Sequence, residues 1–287
     1  MSRRLALVST FALGLLLAAA KAEPAMWVVK DEDSTIYLIG TVHVLRPEML
    51  WNSEKVTKAL ADSTELWLEV IGDDDEAALA SLIQQYGLDR EKPLSKKLNA
   101  KQKAKFAEVA KSYGISAASV EAMKPWTIAL MLTVLQVQKA GYDPKAGVEQ
   151  ILKAQAQKEG DKIFGLETIE QQVRFFADLP EAEQVAFLDQ TLNYAAEGVA
   201  LLDELAKAWA AGNVDMIGEV LVGQLKSEAP NLYDKLLVQR NIRWTEKIQE
   251  ILGGSGVHQI AVGAGHLAGP DSVQAQLARR GVKVEPF

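Results

Sequence analysis

The chain of 287 residues contains no cysteine and only three histidines. An oxidising compartment therefore has no disulfide to offer this fold, and thiolate metal sites and cysteine nucleophiles are excluded. No Gly-x-Ser-x-Gly elbow is present to favour a serine hydrolase. Beyond the first 22 residues no hydrophobic run reaches membrane length. The "DDDE" stretch at residues 73 to 76 lacks the alternating ligands and central glycine of a calcium loop, so it reads as solvated charge at a helix start. Positive charge is also in deficit, with 31 Lys and Arg against 38 Asp and Glu. A polyanion such as nucleic acid is therefore a poor partner in the absence of a local basic groove. Whatever chemistry exists must use oxygen and imidazole groups.

What is present begins with "MSRRLALVSTFALGLLLAAAKA", two arginines followed by an apolar segment and small residues at Ala20 and Ala22. This pattern predicts a secretory signal peptide over residues 1–22, cleaved after Ala22, with a retained membrane anchor as the competing reading. Cleavage removes Arg3, Arg4 and Lys21, which leaves 28 basic against 38 acidic side chains. The remaining chain, 48% hydrophobic overall, is long enough to bury a substantial core in one large domain or two smaller ones.

"MWVVK" and "STIYLIGTVHV" read as two strands joined by the turn "DEDS". A helix-compatible stretch then precedes "TELWLEV", where Leu66, Leu68 and Val70 alternate with Glu65, Trp67 and Glu69, so that the two acids share a face. The middle is mainly helical. "PWTIALMLTVLQVQKAG" is apolar almost all round, which predicts either buried core or a hydrophobic lid. "GDKIFGLETIEQQVRFF" predicts a strand and then a helix, and further helices are expected over 181–210, 213–227 and 231–252. The end returns to a strand in "VHQIAVGAGH", a helix from about 270 to 280 and a last strand in "VKVEPF". The expected fold class is α/β, with a mixed central sheet formed by the N- and C-terminal parts around a large helical insertion at about 99–252.

Two strands lead to histidine in the same way, "LIGTVH" and "AVGAGH". Active sites of open sheets gather at the carboxyl ends of strands, so His43 and His266 are expected to face one site. His258 begins its strand and reads as an ordinary strand-end residue. Glu69 ends "ELWLEV" and can orient water, accept a proton or ligate a cation; its position favours it over Glu65. Thr168 and Gln171 have capping-box spacing, which gives Glu167 a chance to point into the site. Leu236, Arg240, Trp244 and Ile248 share a helix face, so the guanidinium among apolar anchors must snorkel, pair with an acid, or meet a substrate anion or oxyanion. Asn241 is adjacent, on a neighbouring face.

Taken in order, "GTVHVLRP", "ELWLEV", "GLET", "VQRNIRW" and "VGAGHLAG" resemble the TraB/GumN family, to which the Tiki metalloproteases are related, over about residues 27–287. The resemblance implies an erythromycin-esterase/ChaN-like core in a single family domain over 23–287. It carries the two glycine-to-histidine motifs onto His43 and His266, the strand-end acid onto Glu69, the "GLET" acid onto Glu167 and the arginine-asparagine pair onto Arg240 and Asn241. Here the acid motif runs Glu69-Val70-Ile71 instead of acid, apolar, acid.

The leading expectation is thus an exported metal-dependent hydrolase acting on a peptide or protein substrate. His43, His266 and Glu167 would hold a divalent ion such as manganese, cobalt, zinc or iron. Glu69 would serve as base or further ligand, Arg240 would stabilise an oxyanion, and Asn241 would orient substrate. The alternative is a non-catalytic periplasmic protein that binds a peptide or envelope ligand, with Arg240 ion-paired to Glu167 and the histidines structural. Location in the periplasm in preference to full secretion follows from the family resemblance.

Overall fold

The computed structural model describes residues 22–72, 74–193 and 197–287. The expected leader, save Ala22, and Asp73 of the acidic run lie outside the described residues.

Strands β1 (Met26–Lys30) and β2 (Ser34–Thr41) form the expected antiparallel hairpin. Its turn is held by Asp31 Oδ1, which accepts from the Ser34 N–H at 2.9 Å, the local bonding that suits aspartate to turns. β3 (Glu65–Ile71), β4 (Lys162–Thr168), β5 (Gly256–Gly263) and β6 (Val284–Pro286) complete a sheet of order β4-β3-β5-β2-β1-β6. The four strands β4, β3, β5 and β2 run parallel, whereas β1 and β6 are antiparallel to their neighbours. The chain is therefore a mixed α/β fold whose central sheet draws on both ends of the sequence. Its helical region is interrupted by the edge strand β4. β5, near the C-terminus, sits between β2 and β3 from the N-terminal part. Its central residues are buried, as are nearly all of those in β2, and both read as apolar runs because helices cover both faces of a parallel sheet.

Alternation along β2 sorts the core. Tyr37 and Ile39 face a cluster with Val56 and Leu60 of α1 (Glu54–Asp62), whereas Ile36 and Leu38 face Trp244 and Ile248 on the opposite side. α2 (Glu76–Tyr86) starts at Asp75, whose side chain accepts from the Ala78 N–H, the helix-start role expected of the acidic run. A further apolar core is made within the helical region by α3 (Ala100–Ser112), α4 (Pro125–Lys139) and a helix over Glu181–Asn193. The apolar α4 belongs to this core: Ile128, Ala129 and Leu132 are buried there, whereas Val134 in its second half is exposed.

α5 (Val148–Glu159) packs Val148, Leu152 and Ala156 onto the first face of the sheet. α6 (Ile169–Ala177) follows β4 directly and opens with the expected capping box between Thr168 and Gln171. The segments expected as continuous helices over 213–227 and 231–252 each contain a π-helical turn, Gly218–Gly223 and Asp234–Val238. The second leads into α7 (Gln239–Leu252), which packs on the other face with α8 (Val273–Arg279).

Candidate functional site

The carboxyl ends of the four parallel strands lie together, and the residues singled out in the sequence meet there. Thr41 and Gly263, at the ends of β2 and β5, are register partners, so His43 and His266 leave the sheet side by side. Val70 and Glu167 are partners across β3 and β4, which puts Glu69 and Glu167 at the same edge. Gly263 is the floor of this arrangement. A Cβ there would stand 3.0 Å from Glu69 Oε1, 3.6 Å from His43 Nε2 and 3.7 Å from His266 Cδ2. Its N–H donates to Glu69 Oε1 at 2.6 Å.

Arg240 sits in the middle, with every arm of its guanidinium engaged. Nε donates to Glu167 Oε1 at 2.9 Å, and Nη2 to Glu69 Oε2 at 2.6 Å and Glu167 Oε2 at 2.8 Å. Nη1 donates to the Leu236 carbonyl at 3.1 Å and to His266 Nε2 at 3.0 Å. The group also lies 4.6 Å from the Trp244 ring centroid and 5.2 Å from that of Phe175. Gln172 adds a donor to Glu167 at 3.2 Å.

These contacts fix protonation. Burial works against ionisation of Glu69. The Arg240 guanidinium, the charged His43 and the Gly263 N–H overcome it and hold the carboxyl well below its ordinary value. His266 is buried and is pushed down to about 3 by desolvation, with the Arg240 charge adding to the effect, so its ring is neutral. Asn241 spends its amide NH₂ on the Asp271 carbonyl at 2.8 Å, which leaves its oxygen to accept from His266 Nδ1–H at 2.5 Å. The proton is therefore on Nδ1, and Nε2 presents a lone pair to Arg240. Asn241 thus orients His266.

His43 behaves differently. Its side chain is 66% exposed, and Nδ1 lies 2.6 Å from Glu149 Oε1. The Glu149 carboxylate, which also accepts from the Thr41 hydroxyl, pushes this imidazole up to about 9 and keeps it charged. Glu149 was not foreseen from the sequence. It lies in the first turn of α5, a place where an acid needs no other explanation than the helix dipole. The neighbouring Gly147 gives a further signal: a Cβ there would stand 2.4 Å from the His43 carbonyl oxygen, so the helix start is pressed against the histidine loop. His258 does not join the site. Its Nδ1 meets Glu65 Oε2 at 3.0 Å near the strand starts, which also removes Glu65 from the candidates.

The expected divalent-metal centre is corrected by this geometry. Among the described residues no group of three or more His, Cys, Asp or Glu side chains could hold a metal ion. The physical reason is visible in the pairing: Arg240 supplies the cation between Glu69 and Glu167 and takes the Nε2 lone pair of His266, while His43 is engaged as a cation by Glu149. The ligand roles of His43, His266 and Glu167 therefore do not stand. The manganese, cobalt, zinc or iron expectation, the metal-dependent hydrolase and the Tiki-like metalloprotease activity fall with them.

An apolar cleft opens beside the polar cluster. A cavity of about 320 Å³ is lined by Leu202, Leu205, Trp209, Ile217 and Leu221 and reaches His43, Glu69 and His266. A second arm of about 290 Å³ passes Gln172, Phe175, Phe176 and Leu225 and shares Leu221, Leu237 and Arg240 with the first. Trp209 fixes one wall by donating from Nε1 to the Gly40 carbonyl at 2.7 Å. Both π-helical turns contribute, through Leu221 and Leu237, and such turns often accompany functional sites. None of these apolar wall residues was singled out in the sequence, where each is one apolar helix position among many. Among the described residues no helix is long and apolar enough to cross a membrane.

The chain is 25% identical over 254 residues to the uncharacterized protein YbaP of Escherichia coli (strain K12) and, to the same extent, to YbaP of Shigella flexneri; each alignment covers 88% of this chain and 92% of the relative. It is 20% identical over 265 residues to an uncharacterized protein of Treponema pallidum (strain Nichols), covering 88% of this chain and 79% of the relative. No solved structure matches the chain. The model of the TraB/PrgY/gumN family matches residues 25–286, a span that contains every residue of the polar cluster, and the chain belongs to that family.

Proposed function

We propose that this chain is an exported, non-catalytic binding protein that captures a peptide segment by its apolar side chains in the cleft beside Arg240. The observation that carries this reading is the saturation of Arg240. A guanidinium bonded to two buried carboxylates, a carbonyl and a neutral imidazole is a structural tie and has no arm left for an oxyanion. Glu69, Glu167, His266 and Asn241 then form the rigid polar frame of the cleft. His43 with Glu149 forms a hydrogen-bonding edge suited to peptide groups. An apolar cavity with a few fixed polar groups is the usual form of a binding pocket.

Export to the periplasm is proposed from the leader, and a family domain over 23–287 with a mainly helical region at about 99–252 from the family match. An erythromycin-esterase/ChaN-like core is proposed from the four parallel strands whose carboxyl ends carry the polar frame.

The test is a peptide array with apolar side chains probed by the chain lacking residues 1–22, with intact mass of each captured peptide followed in manganese, cobalt and zinc. Saturable capture without cleavage is expected, and Leu221→Asp should lose capture while keeping the thermal unfolding of the parent. Cleavage of captured peptides, or no capture at all, would overturn the reading.

A further inference from the structure

On the far side of Glu167 and Trp244 lies another cavity, of about 390 Å³, distinct from the apolar cleft in its charge. Four cations line it, Arg174, Lys235, Arg243 and Lys247, against only two carboxylates, Glu167 and Asp178. This local excess of positive charge stands out in a chain of formal charge -7. Both carboxylates already have close cationic partners, one of them within the lining itself. Asp178 pairs with Arg174 at 3.0 Å, and Glu167 turns inward to Arg240, leaving Arg243 Nη2 at 3.8 Å from Oε1. Lys235 has no ion-pair partner among the described residues. Lys247 is held by Glu250 at 2.7 Å, but this is an exposed pair one helical turn apart, which a ligand can displace at little cost.

Of the three remaining cations, Arg243 and Lys247 stand one turn apart on α7, and Lys235 reaches the same cavity from the π-helical turn that leads into it. Apolar groups adjoin the cations: Leu166 and Phe175 line the cavity, and the Arg243 guanidinium stands 5.8 Å from the Phe175 ring centroid. A carboxylate would satisfy one of three cations. A dianionic phosphate monoester suits them better, with the planar fork of Arg243 matched to two phosphate oxygens and the lysines acting as point charges. The body of such a ligand would lie against Phe175 and Leu166.

We infer that the cavity bounded by Arg243, Lys235, Lys247 and Phe175 is a binding site for a phosphate monoester carried on an aromatic body. It adjoins the apolar cleft at Phe175, and its test does not depend on peptide capture.

Calorimetric titration of the chain lacking residues 1–22 with phenyl phosphate should show saturable binding to one site, weakening as salt is raised. Inorganic phosphate, which lacks the ring, and benzoate, which carries one negative charge, should each bind more weakly. Arg243→Gln should weaken phenyl phosphate about tenfold or more, as loss of a charge-assisted hydrogen bond does. Lys235→Gln and Lys247→Gln should each weaken it less, and Lys103→Gln, an exposed position on α3 away from the cavity, should leave it unchanged. Circular dichroism would confirm that each variant folds. No saturable binding of phenyl phosphate, benzoate binding as tightly, or equal losses in Arg243→Gln and Lys103→Gln would overturn the inference.

Discussion

Arg240 Nη2 lies 2.6 Å from Glu69 Oε2 although 171 residues separate them in the chain, and the same nitrogen lies 2.8 Å from Glu167 Oε2. One cation thus ties β3, β4 and α7 together at the carboxyl edge of the sheet. A buried charge that loses its partner is costlier than the pair itself, because the remaining ion stays desolvated.

Arg240→Met should therefore leave two buried carboxylates facing each other and cost about 3–5 kcal/mol. At about 2–4 °C per kcal/mol this is a fall in Tm of roughly 10 °C. Adding Glu69→Gln and Glu167→Gln to the same chain should recover part of the loss, since the uncompensated charges are then gone. Thermal unfolding of the single and triple variants decides it. A triple variant less stable than Arg240→Met would show that the acids do not depend on Arg240.

Stability should fall on both sides of a maximum near the ordinary histidine value of 6.5. His266 is held at about 3 and Glu69 at about 2, both below their ordinary values of 6.5 and 4.5. Their contributions are complete above those ordinary values and are lost as the pH falls through the folded ones. His43 is raised from 6.5 to about 9, so its contribution is complete below 6.5 and is lost as the pH rises through 9. Tm measured against pH should show both limbs, and His43→Gln should flatten the alkaline one and, because the His43 charge also lowers Glu69 and His266, make the acid one shallower. An alkaline limb identical in that variant would exclude the His43–Glu149 pair as its source.

Two glycines should differ in what they tolerate. A Cβ at Gly147 would stand 2.4 Å from the His43 carbonyl oxygen and 2.9 Å from that of Pro144, both backbone atoms. At Gly263 the nearest obstacle, at 3.0 Å, is the carboxylate end of Glu69. Gly263→Ala should cost about 1–3 kcal/mol, in the range of overpacked cores, and Gly147→Ala more. Chemical denaturation of both variants checks the order. The reverse order would mean that the helix start of α5 yields more readily than the Glu69 carboxylate.

Much of this arrangement is legible in the sequence. The repeated glycine-x-x-histidine after an apolar strand located both imidazoles, because a strand must end where a parallel sheet gathers its loops. The Thr168 and Gln171 spacing announced the cap that leaves Glu167 at the strand end. Four-residue spacing put Arg240 on a helix face with Trp244. The reading of that set as metal ligands failed because ligand spacing describes which groups can meet and not which cation they meet.

The sequence by itself determined the strands, the helix starts at Pro125 and Thr168, the shared helix face of Arg240 and Trp244, and family membership, since these depend on neighbours a few residues away and on ordered motifs. Only the tertiary structure decided how those groups pair. That Arg240 takes Glu69, Glu167 and the lone pair of His266, and that Glu149 takes His43 from 106 positions away, depends on distances of 2.6–3.0 Å set by packing helices on a sheet. Coulomb energies follow those distances and the local dielectric, so two histidines in the same sequence motif end in opposite states: His266, desolvated beside a guanidinium, is neutral, and His43, beside a carboxylate, is charged.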